Sequence, residues 1–410
     1  MPEAVIVATA RTPIGRAFKG SLVGWRPDDL AAFAVQAAMD KVPQLDPALV
    51  DDLHLGCGLP GGEQGFNMGR VVSTLLGWDT VPGTTITRYC SSSLQTTRMA
   101  MHAIRAGEGD VFVSAGVEMV SRFMAPGRDG EPLGNSDPSG RGENPRFDAA
   151  MARTQAAAEN GAEAWQEPDG LPDVYIPMGQ TAENVALLEG ITREEMDDFA
   201  FESQTRYQKA AAEGFWEREI TPVTLPDGST MTQDDSPRPP DREKMAELKP
   251  VFRPDGRITA GNACPLNDGA AAVVVMSDTR ARELGITPLA RVVSTGVSAL
   301  NPEIMGLGPV ESSRNALRLA GMTIDDIDLV EINEAFAAQV IPSARQLGIE
   351  HDKLNVHGGA IAVGHPFGMT GARITGTLLN GLQQTDGTFG LETMCVGGGQ
   401  GMAMVIERLS

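Results

Sequence analysis

Residues 38–56 read AMDKVPQLDPALVDDLHLG, and residues 316–333 read ALRLAGMTIDDIDLVEIN. Each leaves a helical pattern, crosses an acidic turn and enters a short apolar strand, so one helix–turn–strand unit is written twice. Leu53 in the first stretch matches Leu329 in the second, an offset of 276 residues. The next unit repeats as well. ITRYCSSSLQTTRMAMHAI (86–104) and VHGGAIAVGHPFGMTGARITGTLL (356–379) each pass from a small-residue turn into a helix, and Cys90 and His365 stand 275 residues apart. The closing hairpins correspond too, GNACPLNDGAAAVVVMS (261–277) with MCVGGGQGMAMVIER (394–408), but Gly269 and Gly401 are only 132 residues apart. The first copy therefore carries about 144 extra residues, the difference between the offsets, between the strand DVFVSAG (110–116) and the segment GRITAGN (256–262). A duplicated α/β unit with an insertion near residues 121–250 is expected, its sheets sandwiched by helices.

Length and composition agree with that reading. A chain of 410 residues exceeds one ordinary core, and 41% hydrophobic against 21% charged residues is the balance of a chain folded throughout. The insertion mixes a glycine-, proline- and acid-rich run, RDGEPLGNSDPSGRGENP (128–145), with helical stretches such as TREEMDDFAFESQTRYQKAAAEG (192–214), the pattern of a lid or loop domain. The opening MPEAVIVATA has a glutamate and no basic residue before its apolar run, so it reads as a first strand and not as a secretory signal. No apolar run approaches the roughly 18 to 20 residues of a membrane span, and the ending ERLS matches no lipid anchor, so a cytoplasmic protein is expected.

Four scattered cysteines, at positions 57, 90, 264 and 395, read as free thiols rather than a disulfide framework. Five histidines without paired CxxC or HxxxH spacing lead us to expect no metal. A formal net charge of -21 argues against nucleic acid as a partner, and it requires local basic residues wherever an anionic ligand is to bind.

Two pseudo-repeats packed face to face bring equivalent positions together, which makes Cys90 and His365 the natural pair. Cys90 sits where a strand gives way to the helix SSSLQTTRMAMHAIRAG, with serines suited to capping and Leu94, Met101 and Ile104 on one face. The positive end of that helix would lower the thiol pKa, as a nucleophile requires, whereas an isolated cysteine is more often an inert buried thiol. His365 lies among glycines and beside Pro366. Alone it would mark only a tight turn; beside Cys90 its imidazole would take the thiol proton. Asn333 falls at a strand-to-helix junction, where capping the helix is an equal alternative to function. Cys395 precedes the glycines of a hairpin and is either packing or a proton shuttle.

NEAFAAQ (333–339), GGAIAVGHP (358–366) and CVGGGQG (395–401), in that order after a cysteine in RYCSSSLQ (88–95), resemble the signature blocks of the thiolase family. ARTPIGRAFKGSL (10–22), MGQTAENVA (178–186) and GNACPLNDGAAAVV (261–274) are similar to further family segments, so the resemblance spans nearly the whole chain. It implies a duplicated thiolase-like α/β fold: two mixed five-stranded-sheet halves in a layered α-β-α-β-α sandwich with a loop-domain insertion. The corresponding division is 1–120 plus 251–278 for the N-terminal half, 121–250 for the CoA-binding lid and 279–410 for the C-terminal half. The implied activity is thiolytic cleavage of a 3-ketoacyl-CoA by CoA to acetyl-CoA and a shortened acyl-CoA, reversible as a Claisen condensation. Coenzyme A is a co-substrate, with no permanently bound cofactor, and a homodimer at least, with a homotetramer expected, is implied.

By the same resemblance Cys90 is the acylated nucleophile, His365 its activator and Cys395 the acid that protonates the acetyl-CoA enolate. Backbone N–H groups of Cys90 and Gly397 would hold one oxyanion, and His365 with a water on Asn333 the other. Arg238, in the basic run RPPDREKMAELKPVFRPDGR (238–257), falls where the family contacts CoA, although four acids in that run also suit an exposed mixed-charge helix. Met178, Ala263 and Cys264 match positions lining the acyl and pantetheine pocket, with core packing as the alternative for Met178. Thr87, Ser93, Cys264 and Pro177 depart from common family residues; Pro177, in place of a histidine of biosynthetic acetoacetyl-CoA enzymes, leans towards degradation.

The biosynthetic acetyl-CoA C-acetyltransferase remains an alternative, as do a silent CoA-binding protein of the same fold and a cysteine hydrolase. A dinucleotide-dependent oxidoreductase is excluded, because the strand AMVIE (403–407) follows GGGQG where a phosphate-binding helix would be required.

Overall fold

The first strand, AVIVATAR, is the seam of the molecule. It forms β1 (Ala4–Arg11) in the computed structural model, which describes residues 2–123 and 143–410. Most of the run 128–145 singled out above lies outside the described residues.

The first copy continues through β2 (Gly15–Arg16), α1 (Pro27–Met39), β3 (Asp52–Cys57), α2 (Met68–Leu75), β4 (Gly83–Ile86), α3 (Ser92–Ala106), β5 (Val111–Met119) and the short α4 (Val120–Phe123). Between β5 and the end of the copy lie α5 (Asp148–Asn160), α6 (Met178–Leu188), α7 (Arg193–Ala212), the small hairpin β6 (Val223–Thr224) and β7 (Thr230–Met231), and α8 (Arg242–Ala246). The copy closes with β8 (Asn267–Ser277) and α9 (Asp278–Glu283). The second copy runs β9 (Ala290–Ala299), α10 (Gly308–Ala320), β10 (Leu329–Ile332), α11 (Ala337–Leu347), α12 (Ala360–Val363), α13 (Thr370–Thr385), β11 (Phe389–Val396) and β12 (Gln400–Arg408). The two acidic turns become matching single 3-10 turns, Pro47–Leu49 and Ile324–Asp326, so the sequence offset is also a structural one.

The strands line up as β10-β11-β12-β9-β1-β8-β5-β3-β4. Among the described residues the two halves meet edge to edge through Val5↔Arg291 and Ile6↔Ala290. Side-chain alternation then divides the core. Along β8, Ala270, Ala272, Val274 and Met276 join the cluster under α1, while Ala271, Val273 and Val275 join the cluster around α3 and α13. Along β12, Met402, Met404 and Ile406 face that same middle cluster, and Ala403 and Val405 face α10 and α11. The result is five layers, helix–sheet–helix–sheet–helix, with α3 and α13 buried between the two sheets.

The halves differ in one respect. The first has five strands, β4-β3-β5-β8-β1, whereas the second has four and, at the fifth position, a single parallel bridge from Val330 to Leu354. The cause is Asn355. Its φ of 44° takes the chain out of strand geometry, and its carboxamide pairs with β10 instead, accepting from Ile332 N–H at 2.9 Å and donating to Ile332 O at 2.9 Å.

The segment between β5 and β8 is pinned to the first half by Arg11. This buried guanidinium reaches Glu219 (2.6 Å) and Asp234 (2.8 and 3.1 Å). Within that segment, Thr192 and Glu195 form a capping box that starts α7. Among the described residues no helix is long and apolar enough to cross a membrane.

Candidate active site

Cys90 lies in the 3-10 turn Tyr89–Ser91, between the end of β4 and the start of α3. Tyr89 adopts a φ of 43°, an uncommon conformation for a residue with a side chain, and so aims the following sulfur inward. The serines do not cap α3 as expected. Ser92 Oγ accepts from Arg88 N–H (2.9 Å) and donates to Tyr89 O (2.6 Å), and Ser91 Oγ donates to Arg88 O (3.1 Å), so the hydroxyls brace the strained turn. Leu94, Met101 and Ile104 bury the same face of α3, as the spacing requires.

The thiol does not behave as the helix position alone suggests. Burial pushes the Cys90 pKa up to about 11, against the Gly397 and Cys90 backbone N–H groups that favour the thiolate. Taking a small anion out of water outweighs two N–H dipoles. Gly397 stands in the β11–β12 turn, against the Tyr89 ring, with Gly398 and Gly399 at φ of 75° and 78° completing the turn.

His365 sits between α12 and α13, fully buried, and its hydrogen bonds define its tautomer. Thr370 Oγ1 donates to Pro366 O (2.7 Å), so it accepts from His365 Nδ1–H (2.7 Å). That leaves the Nε2 lone pair to accept from Asn333 Nδ2–H (3.2 Å). Burial lowers the imidazole pKa to about 3, with Arg373 adding to the effect, so His365 rests neutral.

Asn333 directly follows β10 and does not cap α11, whose N-cap is Phe336. Its backbone N–H donates to Thr393 O (3.0 Å), which sets it beside the end of β11 and Cys395. Its Oδ1 is buried without a protein partner.

Cys395 and Cys264 share the neighbourhood of Cys90, and burial raises both thiols well above the ordinary value. Cys395 packs with Met178, Phe252, Ala263, Ala335, Phe336 and Ile361 in an apolar pocket wall. A bridge between Ala263 and Phe336, with Cys264 N–H donating to Ala335 O (3.1 Å), fixes that wall to the NEAFAAQ segment.

Ala263, Cys264 and Arg238 also line a cavity of about 370 Å³ with Arg16, Lys244 and Ile361. Three cations at one mouth answer the requirement that an acidic chain concentrate basic residues where an anion binds. The rest of the basic run is engaged elsewhere or plays no part in this cavity. Arg242 pairs with Asp198, Arg253 bonds Gln180 and Asn184, and Arg257 donates to Ala186 O and Ile191 O.

The predicted residues therefore fall into two adjoining groups: Cys90, Gly397, Cys395 and Cys264 around the sulfur, and His365 with Asn333 around the imidazole. Among the described residues no direct hydrogen bond joins Cys90 to His365. The α3–α13 crossing brings their segments together, so close that any Cβ at Gly371 would meet the backbone of Leu94. Sequence reasoning missed Thr370, Arg16 and Glu118. Arg16 had a usable signal, a cation inside the ARTPIGRAFKGSL block, and Glu118 had one in being a charge within an apolar strand.

Comparison with known proteins agrees along the whole chain. The thiolase N-terminal domain model matches residues 4–279, and the thiolase C-terminal domain model matches 286–408. A 3-ketoacyl-CoA thiolase of Bacillus subtilis is 40% identical over 99% of this chain and 100% of its own length. A beta-ketoadipyl-CoA thiolase of Acinetobacter baylyi is 40% identical with both chains fully covered. Human mitochondrial 3-ketoacyl-CoA thiolase superposes with a TM-score of 0.86 at 35% identity, covering 100% of this chain and 99% of that one. Its complex with CoA gives 0.85 at 35% identity, with coverage of 100% and 98%. Since both halves of the repeat match a family model and the relatives are similar from end to end, the chain belongs to the thiolase family.

Proposed function

We propose that the protein cleaves 3-ketoacyl-CoA with free CoA, giving acetyl-CoA and a shortened acyl-CoA. The observation that carries this reading is the tautomer chain Thr370–His365–Asn333, set beside a buried thiol faced by the Gly397 N–H. Cys90 attacks the keto carbon while its proton passes to His365 Nε2. The Cys90 and Gly397 N–H groups hold the oxyanion. The bond between C2 and C3 breaks, its electron pair stays on C2 as the acetyl-CoA enolate, and the enolate oxygen faces His365 Nε2–H and a water on Asn333. Cys395 protonates C2 and recovers its proton from His365. Free CoA then gives its thiol proton to His365, attacks the acyl carbon and releases Cys90, which takes the proton back.

CoA acts as co-substrate, without a permanently bound cofactor. Arg16, Arg238 and Lys244 at the cavity mouth would meet its phosphates, and Met178, Ala263 and Cys264 the pantetheine and acyl portions. The apolar wall of Met178, Phe252 and Phe336 suits an acyl chain. The residue divisions 1–120 plus 251–278, 121–250 and 279–410 are retained as the two halves and the lid. Cytoplasmic location is supported by four free cysteines, and assembly into a homodimer or homotetramer by the open edge of β4.

The test mixes the protein with acetoacetyl-CoA and longer 3-ketoacyl-CoAs, with and without CoA, and follows acyl-CoA products by mass spectrometry. Cleavage that requires CoA, with acyl mass trapped on Cys90 before CoA is added, is the expected result. Substrate loss without CoA would favour hydrolysis, and wild-type turnover by Cys90→Ala would refute the scheme.

A further inference from the structure

The helix that follows His365 begins without a cap of its own. Met369 occupies the N-cap of α13 and supplies no side-chain acceptor, although the first turn of any helix leaves N–H groups unpaired. The acceptor comes from the other half of the molecule. Ser93 Oγ receives the N–H of Ala372, the third residue of α13, at 2.9 Å. An N-cap side chain of the helix itself ordinarily makes this bond. Ser93 is completely buried, and it lies three residues after Cys90 in the first turn of α3.

Its position is fixed on the α3 side too. Thr96 Oγ1 (2.8 Å) and Thr97 Oγ1 (3.2 Å) donate to Ser93 O, and the Ser114 hydroxyl stands 3.3 Å from the same oxygen. The first residue of α13, Thr370, is the one that holds His365 Nδ1. One hydroxyl thus connects the turn bearing the nucleophile to the helix end that orients the base.

We propose that Ser93 is a positioning residue for the reaction: by capping α13 across the interface between the halves, it sets the register of Thr370 and His365 against Cys90. Its hydroxyl is committed to Ala372 and its side chain packs against Gly116, so its loss acts on proton transfer and not on binding. This rests on the thiolytic reading above. Turnover of 3-ketoacyl-CoA by the wild-type protein tests that reading separately, before any variant is made.

The experiment compares Ser93→Ala, Thr370→Val and the double variant in steady-state thiolysis, together with the rate at which iodoacetamide alkylates Cys90 across pH. Ser93→Ala is expected to lower kcat about five- to ten-fold, with KM for the 3-ketoacyl-CoA changed less than about two-fold. The double variant should lose less than the product of the single losses, because both act through one helix end. The pH profile of kcat should move in both single variants in the same direction. Ser93→Gly, which removes the same acceptor where a helix N-terminus tolerates glycine, serves if the alanine variant does not fold. Unchanged kcat in a folded variant, strictly multiplicative losses, or a rise in KM alone would overturn the inference.

Discussion

A thiol pushed up to about 11 and an imidazole pushed down to about 3 are both neutral across the physiological range. Both side chains therefore rest uncharged, and in the proposed reaction the thiolate forms as the proton is taken, not before. For Cys90 the folded pKa lies above the ordinary thiol value, so the reactive anion becomes more abundant as pH rises towards 11. Alkylation of the free protein by iodoacetamide should accelerate about ten-fold per pH unit between about pH 7 and about pH 10, followed by loss of activity and mass labelling at Cys90. A rate that levels off below pH 8 would mean a preformed ion pair and would contradict this picture. The residue's place at a helix start was legible from RYCSSSLQ, but the sign of its pKa shift was not. The helix end favours the thiolate, desolvation opposes it, and only burial by the second half decides the outcome.

Glu118 works between elements. It is the penultimate residue of β5, a fully buried carboxylate that accepts from Gly58 N–H (2.7 Å), Leu59 N–H (3.2 Å) and Gln64 Nε2–H (2.7 Å) in the first half, and from Gly368 N–H (2.9 Å) in the second. Gly368 lies in the loop between His365 and α13, so this acid ties the turn after β3 to the loop that carries His365. Glu118→Gln keeps the volume but turns one acceptor into a donor facing N–H groups. It should cost about 3 kcal/mol in urea unfolding and lower kcat with it. A loss below about 0.5 kcal/mol would show that the loops hold without it. The helix in 192–214 was readable from its helical pattern, whereas β8 and β12, apolar on both faces, read as continuous runs whose division between two core layers only the structure shows. The reduced fifth strand of the second half was not readable. It depends on a left-handed backbone at Asn355 and on that side chain's two bonds to Ile332, neither of which leaves a periodic trace.

At the scale of the molecule, the internal offset implied two copies of one unit, and the fold packs their equivalent helices α3 and α13 together, because a repeat that buries equivalent faces has few ways to close. The offset did not reveal how the insertion is held; the buried Arg11 that pins it sits far away, in the first strand. Nor did it reveal the exposed end of the sheet. Among the described residues β4 pairs with β3 alone, its residues are half-buried, and Phe66 (97% exposed), Leu75 (52%) and Tyr89 (46%) stand around it. The other edge is different, since the Asn355 carboxamide and the Leu354 bridge cover β10. An open edge flanked by large apolar side chains is a template for association, and a net charge of -21 means that two copies come together only if short-range pairing and burial outweigh their repulsion. Light scattering should therefore give the mass of two or four chains, and the mass should fall as salt is lowered. Phe66→Asp with Leu75→Asp should shift the population towards one chain without altering the far-UV spectrum. If the wild type already runs as a single chain at micromolar concentration, the β4 edge is closed by something other than a second copy. If the variant keeps the wild-type mass, the copies meet on another face.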